Sequence, residues 1–309
     1  MTQGRFLISS RDAREARNQA VVEFFNGLSQ RVFLQRDLAV LLHQLREEWG
    51  LPESMTAPRF ISLLVDHGQL RVLDIVPEAK DGKPAVALPQ RKFTRYAWGE
   101  VSAYSVAQSL RPEAYLSHAS AVFLHGLTEQ VPKTIYVNKE QSVKPAPEGQ
   151  LSQEAITRAF KAAPRVSNYA FVYDAYRFVM LSGKNTGRLE VSELEGPNKE
   201  IFLVTKLERT LIDIAVRPTY AGGVFEVLAA YSAARERLSF NTLLATLKQL
   251  AYIYPYHQAI GFYMERAGYN PARLGPLKEL GLQWDFHLTN KVANPKYSQT
   301  WKLFYPEGL

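Results

Sequence analysis

The chain has 309 residues, 46% of them hydrophobic, and a formal net charge of +7, so it is long enough for two domains with real cores. It contains no cysteine, which excludes disulfides and thiolate metal sites and fits a reducing cytosol. The opening Met-Thr-Gln-Gly-Arg carries no signal-peptide hydrophobic region, no apolar run reaches transmembrane length, and the basic balance favours an anionic partner, nucleic acid first, over a generic basic soluble protein.

Residues 11–27 predict a helix: Val21, Val22, Phe24, Phe25 and Leu28 form an apolar stripe, and Asn26-Gly27 ends it. Residues 35–49 predict a second, with Leu38, Leu41, Leu42 and Leu45 at three-to-four spacing and a stop at Gly50-Leu51-Pro52. A third opens at Thr56-Ala57-Pro58, with Thr56 as N-cap, Pro58 in the first turn and Gly68 closing it in the left-handed region. Its apolar Phe60, Ile61, Leu63 and Leu64 must face inward, which leaves Thr56, Arg59, Ser62 and Asp66 outward. Residues 69–76 alternate as a strand, 77–84 form a turn, and a return strand begins near Ala85. Three helices followed by a hairpin make a winged helix-turn-helix, whose third helix enters the major groove while the hairpin touches the backbone. Arg59 then reads a guanine edge, Ser62 and Thr56 reach phosphate or base, and Lys80, Lys83, Arg91 and Lys92 contact phosphates. Arg11, Arg14 and Arg17 extend the footprint. The competing reading is a protein-docking module with Arg59 as a solvated helix residue; Asp66 on the outer face counts toward it.

The pattern changes at Phe93–Trp98, which places a boundary near residue 97: a DNA-binding domain over 1–96 and a larger mixed α+β domain over 97–309, joined by a short link. Helices are predicted at 104–110, 117–124 and 152–160, strands at 133–137, 188–194 and 201–204, and antiparallel strands within 168–181. Residues 183–187 are a turn. Thr205 caps a helix over 206–216 with Glu208 as capping-box partner. Further helices cover 222–234, 239–250 (capped by Ser239) and 259–267, and strands close the chain at 283–288 and 300–305. Partial segregation of strands and helices points to α+β rather than a doubly wound sheet.

Catalytic chemistry is poorly supported. His118 and His125 lie seven residues apart, too far for the usual metal pair, and each reads as a hydrogen-bonded structural histidine; His257 and His287 are isolated. Ser117 and Ser120 lack a visible base or oxyanion hole, so they cap or pack the helix, with Ser117 as its N-cap. His125 then anchors the helix end and Gly126 takes a left-handed cap, over a core of Leu116, Val122, Leu124 and Ile135. The Gly183-Lys184-Asn185-Thr186-Gly187 stretch has the wrong spacing for a phosphate loop. Asp174, Lys184 and Glu190 on successive strands raise a metal-dependent nuclease, but the Glu-x-Lys doublet it needs is absent. Arg209 and Asp213 read as an ion pair or buried network. A non-enzymatic protein without metal or cofactor is expected.

Three blocks carry a resemblance. The first is Tyr115, Ser117, Ser120, Ala121, His125, Gly126 and Leu127, continued by Gln130, Pro132, Ile135 and Val137. The second runs from Thr205 to Asp213 and includes Glu208 and Arg209, followed by Pro218 and Gly222-Gly223. The third is Gly261-Phe262-Tyr263-Met264-Glu265. In order and spacing they resemble the AbiEi-type antitoxins, the transcriptional repressors of type IV toxin–antitoxin systems of phage defence. The resemblance implies a cytoplasmic protein whose N-terminal winged helix represses its own operon on double-stranded promoter DNA, as a homodimer on inverted repeats. It also implies a C-terminal domain that carries antitoxicity against a nucleotidyltransferase-like toxin encoded alongside. Tyr115, Ser117, Ser120, His125, Gly126, Glu208, Arg209 and Asp213 are then the signature of that domain. The alternative is a stand-alone regulator or defence component that reuses the scaffold.

Overall fold

The computed structural model describes residues 10–78, 92–145, 150–196 and 199–309. It begins with helix α1 (Ser10–Gly27), a short strand β1 (Val32–Phe33), helices α2 (Gln35–Leu45) and α3 (Ala57–Asp66), and the strands β2 (Leu70–Pro77) and β3 (Phe93–Trp98). β3 lies between β1 and β2, antiparallel to both. The apolar stripes of the three helices meet over Phe25, Phe33, Leu38, Trp49, Phe60 and Trp98, with Phe25 stacked on Trp98 at 4.6 Å. The second helix stops at Leu45, short of residue 49, because Trp49 turns into this core and Gly50 takes a left-handed φ of 59°. Arg46 fixes the following connection by donating to the carbonyls of Glu53 and Met55, each at 3.0 Å. The return strand is seen from Phe93 onward. Residues 79–91, with the predicted start near Ala85 and with Lys80, Lys83 and Arg91, lie outside the described residues.

The middle of the chain supplies α4 (Ala103–Gln108), β4 (Tyr115–Leu116), α5 (Ala119–Leu124), β5 (Thr134–Asn138), α6 (Gln153–Lys161), β6 (Ala170–Tyr173), β7 (Tyr176–Leu181), β8 (Val191–Glu195) and β9 (Ile201–Thr205). All nine strands share one curled sheet, in the order β1-β3-β2-β6-β7-β5-β4-β9-β8. The predicted boundary near residue 97 falls on β3, and the sheet crosses it without a break: β2 pairs with β6 through Val76 and Val172. Two side chains fasten this junction. Arg177 grips Glu78 with two bonds of 2.7 Å, which holds that carboxyl below its ordinary value. Buried Arg95 on β3 donates to the Ser109 carbonyl beyond the end of α4 at 3.0 Å. One sheet face buries Ile75, Phe171, Phe178, Ile135, Val137 and Leu116 against Val106 and Leu110.

The remaining helices form a separate layer: α7 (Leu207–Val216), α8 (Val224–Ala234), α9 (Phe240–Leu250), α10 (Tyr256–Arg266) and the short α11 (Gly275–Lys278). A small sheet of β10 (Phe286–His287), β11 (Lys296–Ser298) and β12 (Leu303–Tyr305), in the order β10-β12-β11, closes it. The whole is a mixed α+β protein. Thr205 is not the cap of α7: its backbone still pairs with Val191 in the sheet, and Lys206 holds the N-cap position. Glu208 accepts instead from the Ser239 amide at 2.9 Å, so the capping box does not form. Ser239 does cap α9, accepting from the Thr242 amide. β11 has no counterpart in the sequence reading, and α10 begins three residues before 259 because Pro255 sets its entry.

Candidate nucleic-acid interface and signature network

Helix α3 buries Phe60, Ile61 and Leu64, and helical periodicity therefore turns Arg59, Ser62 and Asp66 outward. Thr56 occupies the N-cap position, exposed, with its hydroxyl not engaged in capping. Arg59 has no hydrogen-bond or ion-pair partner among the described residues. Other cations are committed. Lys92 pairs with Asp74 at 2.8 Å on the surface, a weak bond that a phosphate can displace. Arg17 leans on the Gly50 carbonyl at 3.4 Å, and Arg31 covers the end of α1 by donating to Phe25 and Asn26. The side chains of Arg11 and Arg14 lie outside the described residues.

The second constellation lies between the end of β5 and α7. The buried Tyr115 donates its hydroxyl to Glu140 at 3.0 Å and accepts from Asn138 at 2.7 Å. Asn138 in turn accepts from the Gly183 amide at 2.9 Å. Glu140 also receives the Thr186 hydroxyl and the amides of Thr186 and Arg188. Burial disfavours its charge, yet these donors hold Glu140 below the ordinary carboxylate value. Arg209 on α7 pairs with Asp213 at 2.8 Å and donates to the Leu189 carbonyl at 2.9 Å. Desolvation alone would lower Arg209, but Asp213, Tyr252 and Tyr115 outweigh it and keep the guanidinium charged. Residues 183–189 are thus clamped between the end of β5 and α7. Neither Asn138 nor Glu140 is marked by spacing or motif in the sequence.

The rest of the first block is structural wiring. Ser120 accepts from the Tyr136 amide at 2.8 Å, tying α5 to β5. His125 Nε2 donates to the Thr205 carbonyl at 2.7 Å, tying α5 to β9, and Gly126 follows with φ 64°. Leu116, Val122 and Ile135 are buried, whereas Leu124 is only half-buried. Ser117 is not the N-cap: His118 takes that position, and Ser117 Oγ bonds its Nδ1 at 3.0 Å. A Cβ at Gly126 would meet nothing within 4 Å, so Gly126→Val tests the strain of the left-handed backbone. It is expected to cost about 1 kcal/mol or more by chemical denaturation, and an unchanged midpoint would remove the strain argument.

His118 is buried against Tyr220, and desolvation pushes its pKa down from 6.5 to about 3. Between those values the unfolded chain binds a proton that the folded chain does not. Stability is therefore complete above about pH 6.5 and falls as pH drops toward about 3, by up to about 1.4 kcal/mol per pH unit. His118→Asn, which tolerates the positive φ of 52°, should flatten the loss between about pH 7 and 5 in thermal melts. An equal loss in the variant would assign it to other groups.

The nuclease constellation is not assembled. Asp174 precedes β7 and Lys184 follows it, at opposite ends of a six-residue strand, about 20 Å apart. Glu190 pairs with Lys206 at 3.0 Å, and Lys184 covers the end of α9 through the Leu250 and Ala251 carbonyls. No group of three metal-ligating side chains forms among the described residues, and none of their helices is long and apolar enough to cross a membrane.

No protein-family model and no curated protein matches the chain. Among solved structures, the crystal structure of the RV2827C protein from Mycobacterium tuberculosis is similar, with a TM-score of 0.54 over 94% of this chain and 91% of that one, at 16% sequence identity. At that identity the likeness is one of fold.

Proposed function

We propose that the N-terminal part is a winged helix-turn-helix that binds double-stranded DNA of its own promoter, and that the chain is the repressor and antitoxin of a type IV toxin–antitoxin operon. The observation that carries the DNA half is the outward face of α3, where Arg59 stands uncommitted beside Thr56 and Ser62. The helix–strand–helix–helix–strand–strand order supports it, as does the net charge of +7. Asp66 shapes this face as a local one rather than a uniformly basic stripe. The antitoxin half rests on the resemblance, and is supported by the way Tyr115, Arg209 and Asp213 converge with Glu140 on one loop. Its partner is a nucleotidyltransferase-like toxin, and two copies of the chain on inverted repeats fit the symmetry of such operators.

Arg59→Ala separates the two halves. It should cost about 1–3 kcal/mol on the upstream operator and far less on random duplex, as a guanine contact does. Equal losses on both would make Arg59 a phosphate contact. The same variant, co-expressed with the neighbouring gene product, should still relieve growth arrest if antitoxicity lies beyond residue 97. Wild-type DNA binding without rescue would leave a stand-alone regulator.

A further inference from the structure

A cleft of about 330 Å³ opens between the α9–α10 connection and residues 280–284, within the range of roughly 300–1,000 Å³ that small ligands occupy. Tyr252, Tyr254 and Tyr256 line the cleft with Trp284, and the Tyr256 ring meets those of Tyr252 and Tyr254 edge to face. The connection is fixed. Ala251 ends α9 in the left-handed region and Lys184 Nζ holds the Leu250 and Ala251 carbonyls, lying 6.0 Å over the Tyr252 ring. Tyr252 lies within electrostatic reach of Asp213 and Arg209.

The lining is aromatic but not inert. The hydroxyls of Tyr252, Tyr254 and Tyr256 and the indole N–H of Trp284 have no hydrogen-bond partner among the described residues. His257 donates Nε2–H to the Gly281 carbonyl at 2.6 Å, which leaves its Nδ1 as an acceptor. Lys248 is the one charged side chain in the lining, and no carboxylate joins it. An aliphatic anchor from a partner protein would cover these polar tips without satisfying them, which is costly. A cation would meet Lys248. A flat ring with hydrogen-bonding edges and a negative tail satisfies all of them.

We propose that this cleft is a nucleotide-binding site, with the base stacked on the tyrosine–tryptophan walls and the phosphate at Lys248. The inference is independent of DNA binding by α3 and holds or fails by its own measurement. The four common nucleoside monophosphates and their nucleosides are titrated into the full chain by calorimetry. At least one monophosphate should bind with Kd below about 1 mM. Lys248→Met should weaken that monophosphate about tenfold and leave the nucleoside unchanged, while Tyr254→Leu weakens both by about tenfold and Tyr254→Phe restores them. Unchanged thermal melts show that the variants are folded. No binding of any monophosphate at about 1 mM, or equal affinity in wild type, Lys248→Met and Tyr254→Leu, overturns the proposal.

Discussion

Asp213→Ala is expected to remove about 3–5 kcal/mol of stability. The Arg209–Asp213 pair has side-chain exposures of 5% and 8%, so truncating the carboxylate strands a guanidinium away from water. Its remaining bonds, to the Leu189 carbonyl and the Thr186 hydroxyl, both come from one terminal nitrogen, so Nε loses its partner and the charge is left uncompensated. The cost is the uncompensated charge rather than the net worth of the pair. Replacing both partners, as in Arg209→Met with Asp213→Leu, should therefore recover most of the loss. Denaturant unfolding of the single and double variants reads both outcomes. A single-variant loss below about 1 kcal/mol would mean that Arg209 reaches solvent once unpaired.

Gly261→Ala is expected to cost about 3 kcal/mol, at the upper end for overpacking. Gly261 sits inside α10 with ordinary helical backbone, so the constraint is space. A Cβ there would lie 2.2 Å from two ring carbons of Trp301. Trp301 cannot swing away freely: it is fully buried, its indole N–H bonds Glu265 at 2.6 Å, and Lys278 lies over its ring. Thinning the obstacle should help, so Trp301→Phe should rescue part of the loss in the Gly261→Ala background. An unchanged melt for Gly261→Ala would show that the α10–Trp301 contact is looser than its geometry.

Where one face decides the structure, the sequence was readable. The apolar periodicity of residues 57–66 gave α3 and its outward Arg59, and Ser239 marked the start of α9. Arg209 and Asp213, read as an ion pair or buried network, do pair. Failures came where distant residues decide. Thr205 has the chemistry of a cap, but β8 holds it in the sheet through Val191, and Lys206 must take the cap position. Ser117 likewise has a capping hydroxyl, which His118 takes. Alternation in residues 69–76 announces a strand without naming its partners, and the pairing of Val76 with Val172 across the predicted boundary depends on tertiary packing. Glu140 is a lone carboxylate near a proline-containing loop; its donors come from Tyr115, Thr186 and Arg188, none at a spacing that signals it. Tyr252, Tyr254 and Tyr256 went unmarked in the sequence, because only the Trp284 segment beside them makes them a cleft.

If α3 is a recognition helix, the chain grips duplex DNA from its own upstream region, and a salt titration of that equilibrium decides it. Binding of the intact protein to the upstream duplex is measured beside a random duplex of equal length over rising salt. Binding should be tighter to the upstream sequence, with log affinity falling linearly against log salt by roughly 0.9 for each phosphate neutralised. Affinity that does not change with salt, or no binding to the upstream duplex, would contradict it.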